Sequence, residues 1–168
     1  RRFPTVRVLD LGGGIGVPDR HGEASFDLAA LDALLAEFRA ANPDYELWLE
    51  PGRYLVSEAG VLLAHVTQTK GKTSHRYVGL STGMNSLIRP ALYDAWHEIV
   101  NLTRFDEAAT DTVTVVGPIC ETGDMLGTDR KLPPCKENDV VLIANAGAYG
   151  YVMSSRYNLR DIPPEITL

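Results

Sequence analysis

The sequence predicts an α/β unit in its first third, followed by an antiparallel β domain. A β-rich run, VRVLDL at 6–11, ends at a glycine cluster, and leucines and alanines recur at helical spacing through 26–41. YELWLE at 45–50 again has the composition of a strand, so residues 6–50 predict one strand–helix–strand unit. After residue 50 the pattern changes to apolar runs separated by turns that carry Gly, Pro and Asp, which favours β structure.

The individual elements follow from composition and from the turn residues. A helix over 26–41 ends at Asn42-Pro43, because proline lacks the backbone N–H that would continue the helix. Short helical segments are also predicted within 86–96 and 148–155. Five further runs have the composition of strands: residues 58–72, 75–82, 97–104, 111–119 and 139–147.

A single strand–helix–strand unit indicates a larger parallel structure. Parallel sheets are covered by helices on both faces, and one unit supplies too few neighbours for that. We therefore expect residues 1–55 to be the tail of an α/β barrel or sheet and residues 56–168 to be a separate β domain. Strand edges and an apolar face without neighbours also lead us to expect that the isolated chain dimerises or binds a partner.

Composition disfavours several classes of partner. The 168 residues carry a net charge of −6 and no Lys/Arg-rich run, which argues against nucleic acids and anionic membrane surfaces. No apolar run is long enough to span a membrane, and the first residues lack the apolar core of a signal peptide. The two cysteines suggest no disulfide framework, so we expect a cytoplasmic protein with free thiols. The histidines show no metal-ligand spacing and are expected to be structural or exposed: His21, His65, His75 and His97.

A glycine cluster, GGGIG at 12–16, follows the first strand directly. Glycines at that place let backbone N–H groups approach an anion such as a phosphate, although a tight turn between strand and helix explains them equally well. The cluster is not a dinucleotide fingerprint, because Val17 stands at the third glycine position. It also lacks the GK[ST] ending of a P-loop, so a nucleotide-binding Rossmann protein is disfavoured.

The segment EPGR at 50–53 places an acid and a base at the end of the second strand. In an α/β barrel, the loops at the carboxyl ends of the strands form the active site. The glycine cluster and this turn would then meet in one pocket, where the planar guanidinium of Arg53 suits a carboxylate or phosphate. The alternative is a surface pair of Glu50 and Arg53, which contributes little stability.

Three more segments carry candidate side chains. In GPICETGD, Cys120 precedes Glu121, and its thiol is either an acid or nucleophile or a small buried hydrophobe. Arg89 and Tyr93 are four residues apart and would share one face of a short helix, as binding groups or as part of a solvated amphipathic surface. Tyr149 follows small residues at a strand end, where core packing is the alternative role.

Five segments in this order, LGGGIG, EPGR, IRPALY, CETGD and GAYGYVMSSRYN, resemble the C-terminal half of diaminopimelate decarboxylases over about residues 6–160. These enzymes belong to the fold-type III, alanine-racemase-like family, which uses pyridoxal 5′-phosphate. The resemblance implies that the chain holds the tail of a pyridoxal phosphate-binding (β/α)8 barrel followed by a C-terminal antiparallel β domain. It also implies decarboxylation of meso-2,6-diaminopimelate to L-lysine and CO₂, the last step of lysine synthesis.

The resemblance implies roles for individual residues. The glycine loop, the EPGR turn and one tyrosine would hold the cofactor: Gly13, Gly14, Gly16, Glu50, Gly52, Arg53 and Tyr149. A second set would bind the substrate. Arg53 would contact a carboxylate, and Tyr149 would contact both the substrate and the cofactor. Three residues would bind the far end of the substrate: Arg89, Tyr93 and Glu121. Cys120 would return a proton to the carbon that loses CO₂. Cys120 and Glu121 would reach the active site of the partner subunit, so the active enzyme would be a homodimer.

Charge complementarity agrees with this substrate. Diaminopimelate carries a second carboxylate and ammonium at its far end, and two arginines with one acid complement them. By the resemblance, ornithine-type decarboxylases lack the RPALY arginine and carry Cys-Asp in place of Cys120-Glu121. An ornithine, arginine or carboxynorspermidine decarboxylase is the alternative enzyme. A non-catalytic dimerisation or pyridoxal phosphate-binding module is the alternative from another class.

The chain departs from the family pattern in two respects. The family's Schiff-base lysine and a histidine that stacks on the cofactor lie early in the barrel, and no lysine here matches that position, so we expect this chain alone to be inactive. Ser81-Thr82-Gly83 stands where many relatives have Asp-Ala-Gly. The segment GLSTGMNSLIRPALY is most similar to decarboxylases fused behind an aspartate kinase.

Overall fold

The computed structural model describes residues 4–72 and 75–168. The first part is a strand–helix–strand unit in which β1 (Val8–Asp10) lies parallel to β2 (Glu46–Trp48). The helix α1 (Leu28–Ala41) connects the two strands. The unit that the hydrophobic pattern predicts over residues 6–50 is therefore confirmed, with shorter strands than the apolar runs indicate.

Local signals fix both ends of α1. The Asp27 carboxylate accepts a hydrogen bond from the Ala30 N–H at 2.9 Å, which satisfies one of the free donors at the start of the helix. At the other end, the Asn42 N–H donates to the Phe38 carbonyl at 3.0 Å. Pro43 follows and cannot donate the next hydrogen bond, so the helix ends where the sequence predicts.

The remainder of the described chain forms a six-stranded sheet with the order β5–β8–β3–β4–β6–β7. Its strands are β3 (Leu62–Lys72), β4 (His75–Leu80), β5 (Ile99–Asn101), β6 (Asp111–Val116), β7 (Met125–Leu132) and β8 (Val140–Ile143). Neighbouring strands are antiparallel except β4 and β6, which run parallel. The predicted antiparallel β domain is present, with one parallel pair that the sequence pattern does not indicate.

The strand β7 is not predicted by composition. Its sequence MLGTDRKL contains Gly127, charged residues in succession and Thr128 as its one β-branched residue. Asp129 has a left-handed φ of 53°, which is unusual within a strand. The pairing with β6, where Arg130 lies opposite Val113, supplies the hydrogen bonds that make this segment extended. Long-range pairing thus overrides a low local preference for β structure.

The core of the sheet consists of alternating strand residues. Val78 and Leu80 on β4, and Val113 and Val115 on β6, are buried at the spacing of two that a strand requires. Burial of one such aliphatic side chain contributes about 1.5–3 kcal/mol. Leu87, in the loop before the RPALY segment, is also fully buried. The sheet is therefore a packed support for the loops that carry the candidate site residues.

Hydrogen bonds join the strand–helix–strand unit to the sheet. A short helix, α2 (Gly52–Val56), leads from β2 toward β3. The Gly147 N–H donates to the Ser57 carbonyl at 3.1 Å, and Asn145 Nδ2 donates to the Pro18 carbonyl at 3.1 Å. A Cβ on Gly147 would overlap the last carbonyl oxygen of α2, so only glycine permits this approach. The segment after β8 is thereby held against the loop after β1.

Apolar side chains of the strand–helix–strand unit remain exposed. The helix α1 has no buried residue, and Leu34 and Trp48 are 65% and 53% exposed. This surface is what a barrel segment presents to further strands and helices, and association of the isolated chain stays a prediction. Among residues 4–72 and 75–168, no helix has the length and apolar character needed to cross a membrane.

Candidate functional site

The glycine loop and the EPGR turn lie side by side because they follow neighbouring parallel strands. The Glu50 N–H donates to the Gly12 carbonyl at 2.8 Å. A Cβ on Gly13 would lie 2.7 Å from the Glu50 carbonyl oxygen, so a larger residue does not fit between the two segments. Gly12 and Gly14 have φ values of 68° and 96°, which glycine adopts at low cost. The two segments that the sequence singles out therefore meet.

The glycine loop leaves backbone donors available. Within the described part of the chain, the N–H groups of Gly13, Gly14 and Gly16 donate no hydrogen bond. A Cβ on Gly14, Gly16 or Gly52 would meet no other atom within 4 Å, so the space beside these residues is open. Free N–H groups beside open space suit the phosphate group of a cofactor. The residues present thus fit the group that the resemblance implies.

Arg53, in α2, faces the loop after β1. Its Nη1 lies 3.5 Å from Asp19 Oδ1, and both residues are half-buried. Asp19 is held in place because its N–H and that of Arg20 donate to the Glu23 carboxylate at 2.9 and 3.1 Å. The Arg20 guanidinium in turn lies 4.1 Å from the centre of the Trp96 ring, which is a cation–π contact. The loop carrying Asp19 is therefore attached to the β domain.

Arg89 and Tyr93 lie on α3 (Arg89–Tyr93), so the predicted short helix is confirmed. Burial lowers the pKa of Arg89, and the positive charge of Arg53 lowers it further. Asp19, Tyr149 and Tyr93 act on this pKa in the opposite direction. Arg89 is thus within electrostatic reach of residues from three other segments and of one from its own helix: Arg53, Asp19, Tyr149 and Tyr93.

Tyr149 follows β8 and has a left-handed backbone with φ of 60°. Few residues other than glycine adopt this conformation, and here the buried neighbours Ala148 and Gly150 hold it in place. The side chain of Tyr149 is 46% exposed, so core packing does not account for it. Its proximity to Arg89 is consistent with the binding role that the resemblance implies.

Cys120 and Glu121 are exposed on the loop between β6 and β7. The Cys120 N–H donates to Asn158 Oδ1 at 2.8 Å, and the Tyr157 hydroxyl donates to Glu121 Oε2 at 3.2 Å. This hydrogen bond, together with the charge of Glu121, raises the pKa of Tyr157. The loop is therefore attached to the 157–159 segment, and its thiol is not a buried hydrophobe.

A buried carboxylate joins the loop that carries Cys120 to the segment at 81–84. Asp124 is 3% exposed and accepts hydrogen bonds from the Met84 N–H at 2.6 Å and the Ile119 N–H at 2.7 Å. A Cβ on Gly83 or on the glycine at 117 would overlap this carboxylate. The segments at 81–84 and 117–124 are thus packed against each other through this carboxylate.

Replacing Asp124 with alanine is expected to destabilise the protein by about 2–4 kcal/mol, because the buried Ile119 N–H and the partly buried Met84 N–H lose their acceptor. Urea unfolding of the purified protein measures this change. Asp124→Asn, which keeps one acceptor oxygen and the shape of the side chain, is the matched control and should cost less. Equal stability of Asp124→Ala and the unmodified protein would contradict the role of this carboxylate.

The structure brings most of the expected site residues into one group and leaves two apart. The glycine loop and Glu50 adjoin each other, and Arg53 lies within reach of Arg89, Tyr93 and Tyr149. Among the described residues, no hydrogen bond or ion pair joins Cys120 or Glu121 to that group. No group of described His, Cys, Asp and Glu residues is arranged to hold a metal ion.

Four neighbours of these residues are not indicated by the sequence pattern: Asp19, His97, Asp124 and Asn158. Asp124 could have been suspected, since it closes the CETGD segment between two glycine-containing turns. Asp19 and Asn158 lie in loops whose positions depend on contacts far along the chain. His97, expected to be structural or exposed, is fully buried with Nε2 3.0 Å from Arg89 Nη1.

Two family models match the chain. Residues 4–57 match the pyridoxal-binding domain of pyridoxal-dependent decarboxylases, and residues 53–147 match their C-terminal sheet domain. Together the two matches cover the strand–helix–strand unit and the six-stranded sheet.

Individual relatives agree with these matches. The diaminopimelate decarboxylase of Archaeoglobus fulgidus is 43% identical over 96% of this chain and 39% of its own length. The solved diaminopimelate decarboxylase of M. jannaschi has a TM-score of 0.81 and 34% identity, covering 94% of this chain and 37% of its own. The solved lysine decarboxylase of Selenomonas ruminantium has a TM-score of 0.82 and 32% identity, covering 95% and 42%. The chain thus spans about two fifths of the length of these proteins.

Proposed function

The chain belongs to the pyridoxal-dependent decarboxylase family, and we propose that it forms the phosphate-binding and substrate-binding part of a diaminopimelate decarboxylase. The reaction removes CO₂ from meso-2,6-diaminopimelate and yields L-lysine. Residues 1–55 would complete the cofactor-binding barrel, and residues 56–168 would form the β domain that carries the remaining substrate contacts. The similarity to diaminopimelate decarboxylases over nearly the whole chain supports this assignment.

The observation that carries the proposal is the pair of half-buried arginines. Arg53 and Arg89 lie close enough for their charges to act on each other. The Asp19 carboxylate lies 3.5 Å from Arg53 Nη1 and raises the pKa of Arg89, opposite to the effect of Arg53. Keeping two cations together out of bulk water is unfavourable unless an anion joins them. A substrate with carboxylates at both ends supplies that anion, and the fork of each guanidinium suits a carboxylate.

Pyridoxal phosphate is the cofactor in this proposal, and its phosphate would lie on the free N–H groups of Gly13, Gly14 and Gly16. When bound, pyridoxal phosphate withdraws the electron pair that the departing CO₂ leaves on the α-carbon. Arg53 would orient the substrate at one carboxylate, while Arg89 and Tyr93 would bind the far end. Tyr149, exposed and next to Arg89, would contact both the substrate and the cofactor.

Cys120 would deliver a proton to the α-carbon after CO₂ leaves, and Glu121 would pair with the far-end ammonium. Both side chains are exposed and separate from the arginine pair within the described residues, which supports their acting in the site of a second subunit. We therefore propose a homodimer with shared active sites. A thiol that must stay reduced suits the cytoplasm, where we place the enzyme.

A decarboxylase for a basic amino acid is the second candidate, because a lysine decarboxylase of known structure is among the similar proteins. Such substrates carry a carboxylate only at the reacting carbon, so Arg89 would have no anionic partner at their far end. A non-catalytic module that dimerises or binds pyridoxal phosphate is the candidate from another class.

CO₂ release from meso-diaminopimelate tests the proposal directly, with the full-length protein supplied with pyridoxal phosphate. We expect CO₂ and L-lysine in equal amounts, and none without the cofactor. CO₂ release from ornithine, arginine or lysine instead would assign the second candidate. If the protein binds pyridoxal phosphate but decarboxylates none of these compounds, the non-catalytic module is the remaining candidate.

A further inference from the structure

His97 is the one fully buried histidine in the described chain, and its ring connects α3 to the end of β8. Its Nε2 lies 3.0 Å from Nη1 of Arg89, and its Nδ1 lies 2.8 Å from the carbonyl oxygen of Ala144. Both ring nitrogens therefore have a hydrogen-bonding partner. Neither partner is water, since none of the ring is exposed.

The two partners determine where the ring proton is. A guanidinium only donates hydrogen bonds and a carbonyl oxygen only accepts them. The Nδ1 atom must then carry the hydrogen that is donated to Ala144, and Nε2 must offer its lone pair to Arg89. His97 is thus neutral in this arrangement. Burial, and after it the positive charge of Arg89, lowers the pKa of His97, which agrees with the neutral form.

This contact restricts Arg89 on one side only. An arginine side chain has many rotamers, and holding one of them costs entropy unless contacts select it in advance. Within the described residues, His97 Nε2 is the one hydrogen-bond acceptor that holds the Arg89 guanidinium. The bond uses Nη1 and leaves the other N–H groups of the fork for a ligand. Because Ala144 directly follows β8 and its N–H donates to the Glu98 carbonyl at 2.9 Å, the direction of Arg89 is tied to the edge of the sheet.

We propose that His97 is a positioning residue that presents the free edge of Arg89 to the far-end carboxylate of the substrate. The identity of the substrate in this inference rests on the proposed function. The tautomer of His97 follows from the geometry alone. It makes His97 a determinant of substrate class: the ring selects for a dicarboxylate without touching the substrate itself.

Two substitutions separate positioning from structural support. His97→Gln places an acceptor oxygen near the position of Nε2 but loses the donor to Ala144. His97→Asn keeps a donor near the position of Nδ1 but leaves Arg89 without its acceptor. His65→Asn, on the exposed part of β3, is the matched control. Steady-state kinetics of the holoenzyme with meso-diaminopimelate, and inhibition by the diamine cadaverine, which lacks the far-end carboxylate, are measured for each variant.

We expect His97→Asn to raise KM for diaminopimelate about tenfold with kcat changed less than about threefold, and His97→Gln to restore most of the loss. The inhibition constant of cadaverine should stay the same in all variants. A structural role would give the reverse order, with His97→Gln the more damaged variant, and would overturn the proposal. Equal weakening of diaminopimelate and cadaverine binding would overturn it as well.

A second measurement does not depend on the substrate. ¹⁵N NMR of the histidine-labelled holoenzyme, with the His97→Asn variant used to identify the signals, reports which ring nitrogen carries the hydrogen. We expect a neutral ring with hydrogen on Nδ1. Hydrogen on Nε2 would exclude a bond from Arg89 and overturn the inference, even if the protein decarboxylates diaminopimelate. A wild-type enzyme inactive on diaminopimelate would refute the function, and the NMR result would still decide the contact.

Discussion

Replacing Cys120 with alanine is expected to lower kcat for CO₂ release from diaminopimelate about 10²–10³-fold, because the α-carbon then lacks its proton donor. KM should change little, since the thiol would act on the reacting carbon and not on the groups that bind the substrate. Steady-state kinetics of the holoenzyme measure both constants. Cys135→Ser is the matched control, because Cys135 lies half-buried in the β domain, where Asn101 donates to its sulfur at 3.4 Å and a serine can keep this bond.

A loss confined to KM, or no loss at all, would contradict the acid role of Cys120. The same variant tests the shared site. Mixed with Arg89→Ala protein and allowed to exchange subunits, Cys120→Ala protein should regain up to about one quarter of wild-type activity, since each hybrid dimer contains one intact site. If both residues act in the site of their own subunit, the mixture stays inactive, because every hybrid site lacks one of them.

Replacing Arg89 with alanine is expected to lower kcat/KM for diaminopimelate about 10²–10³-fold. The far-end carboxylate would lose a charge-assisted, forked partner in a half-buried site. Arg89→Lys keeps the positive charge but not the planar fork, so its kcat/KM should lie between those of the wild type and Arg89→Ala. Ornithine and lysine, which have no far-end carboxylate, should lose far less when the same variant is tested.

Arg39→Ala is the control for Arg89, because Arg39 is an exposed arginine in the last turn of α1 and lies outside the arginine group. Its kinetics should match the wild type. Equal losses on diaminopimelate and on ornithine in Arg89→Ala would show that the residue does not read the second carboxylate. That result would favour a decarboxylase for basic amino acids over a diaminopimelate decarboxylase.

Segments with a strong local signal were predictable from sequence. The 26–41 helix has apolar residues at helical spacing and is bounded by Asp27 and Pro43, so neighbouring residues alone determine it. The RPALY helix begins with a proline in its first turn for the same reason. The close approach of the glycine loop to Glu50 also followed, because the ends of adjacent parallel strands meet.

Features that depend on distant residues were not predictable. The strand β7 has a weak local preference and becomes extended only through its pairing with β6. The parallel pair of β4 and β6 needs a crossover whose path the hydrophobic pattern does not encode. The acceptor role of Asp124 joins residues 40 positions apart along the chain, and the local CETGD pattern marks Asp124 itself but not its partner Met84.

The sequence by itself determined the strand–helix–strand unit, most strands of the β domain and the residue types that suit a dicarboxylate and a phosphate. Short-range preferences and turn chemistry are properties of neighbouring residues, and they act before any distant contact forms. The tertiary structure alone decided that Arg53 faces Asp19, and that His97 holds Arg89 while bonded to a carbonyl 47 residues away. Those positions depend on how the sheet packs, because packing sets the distance and burial that turn separate side chains into one site.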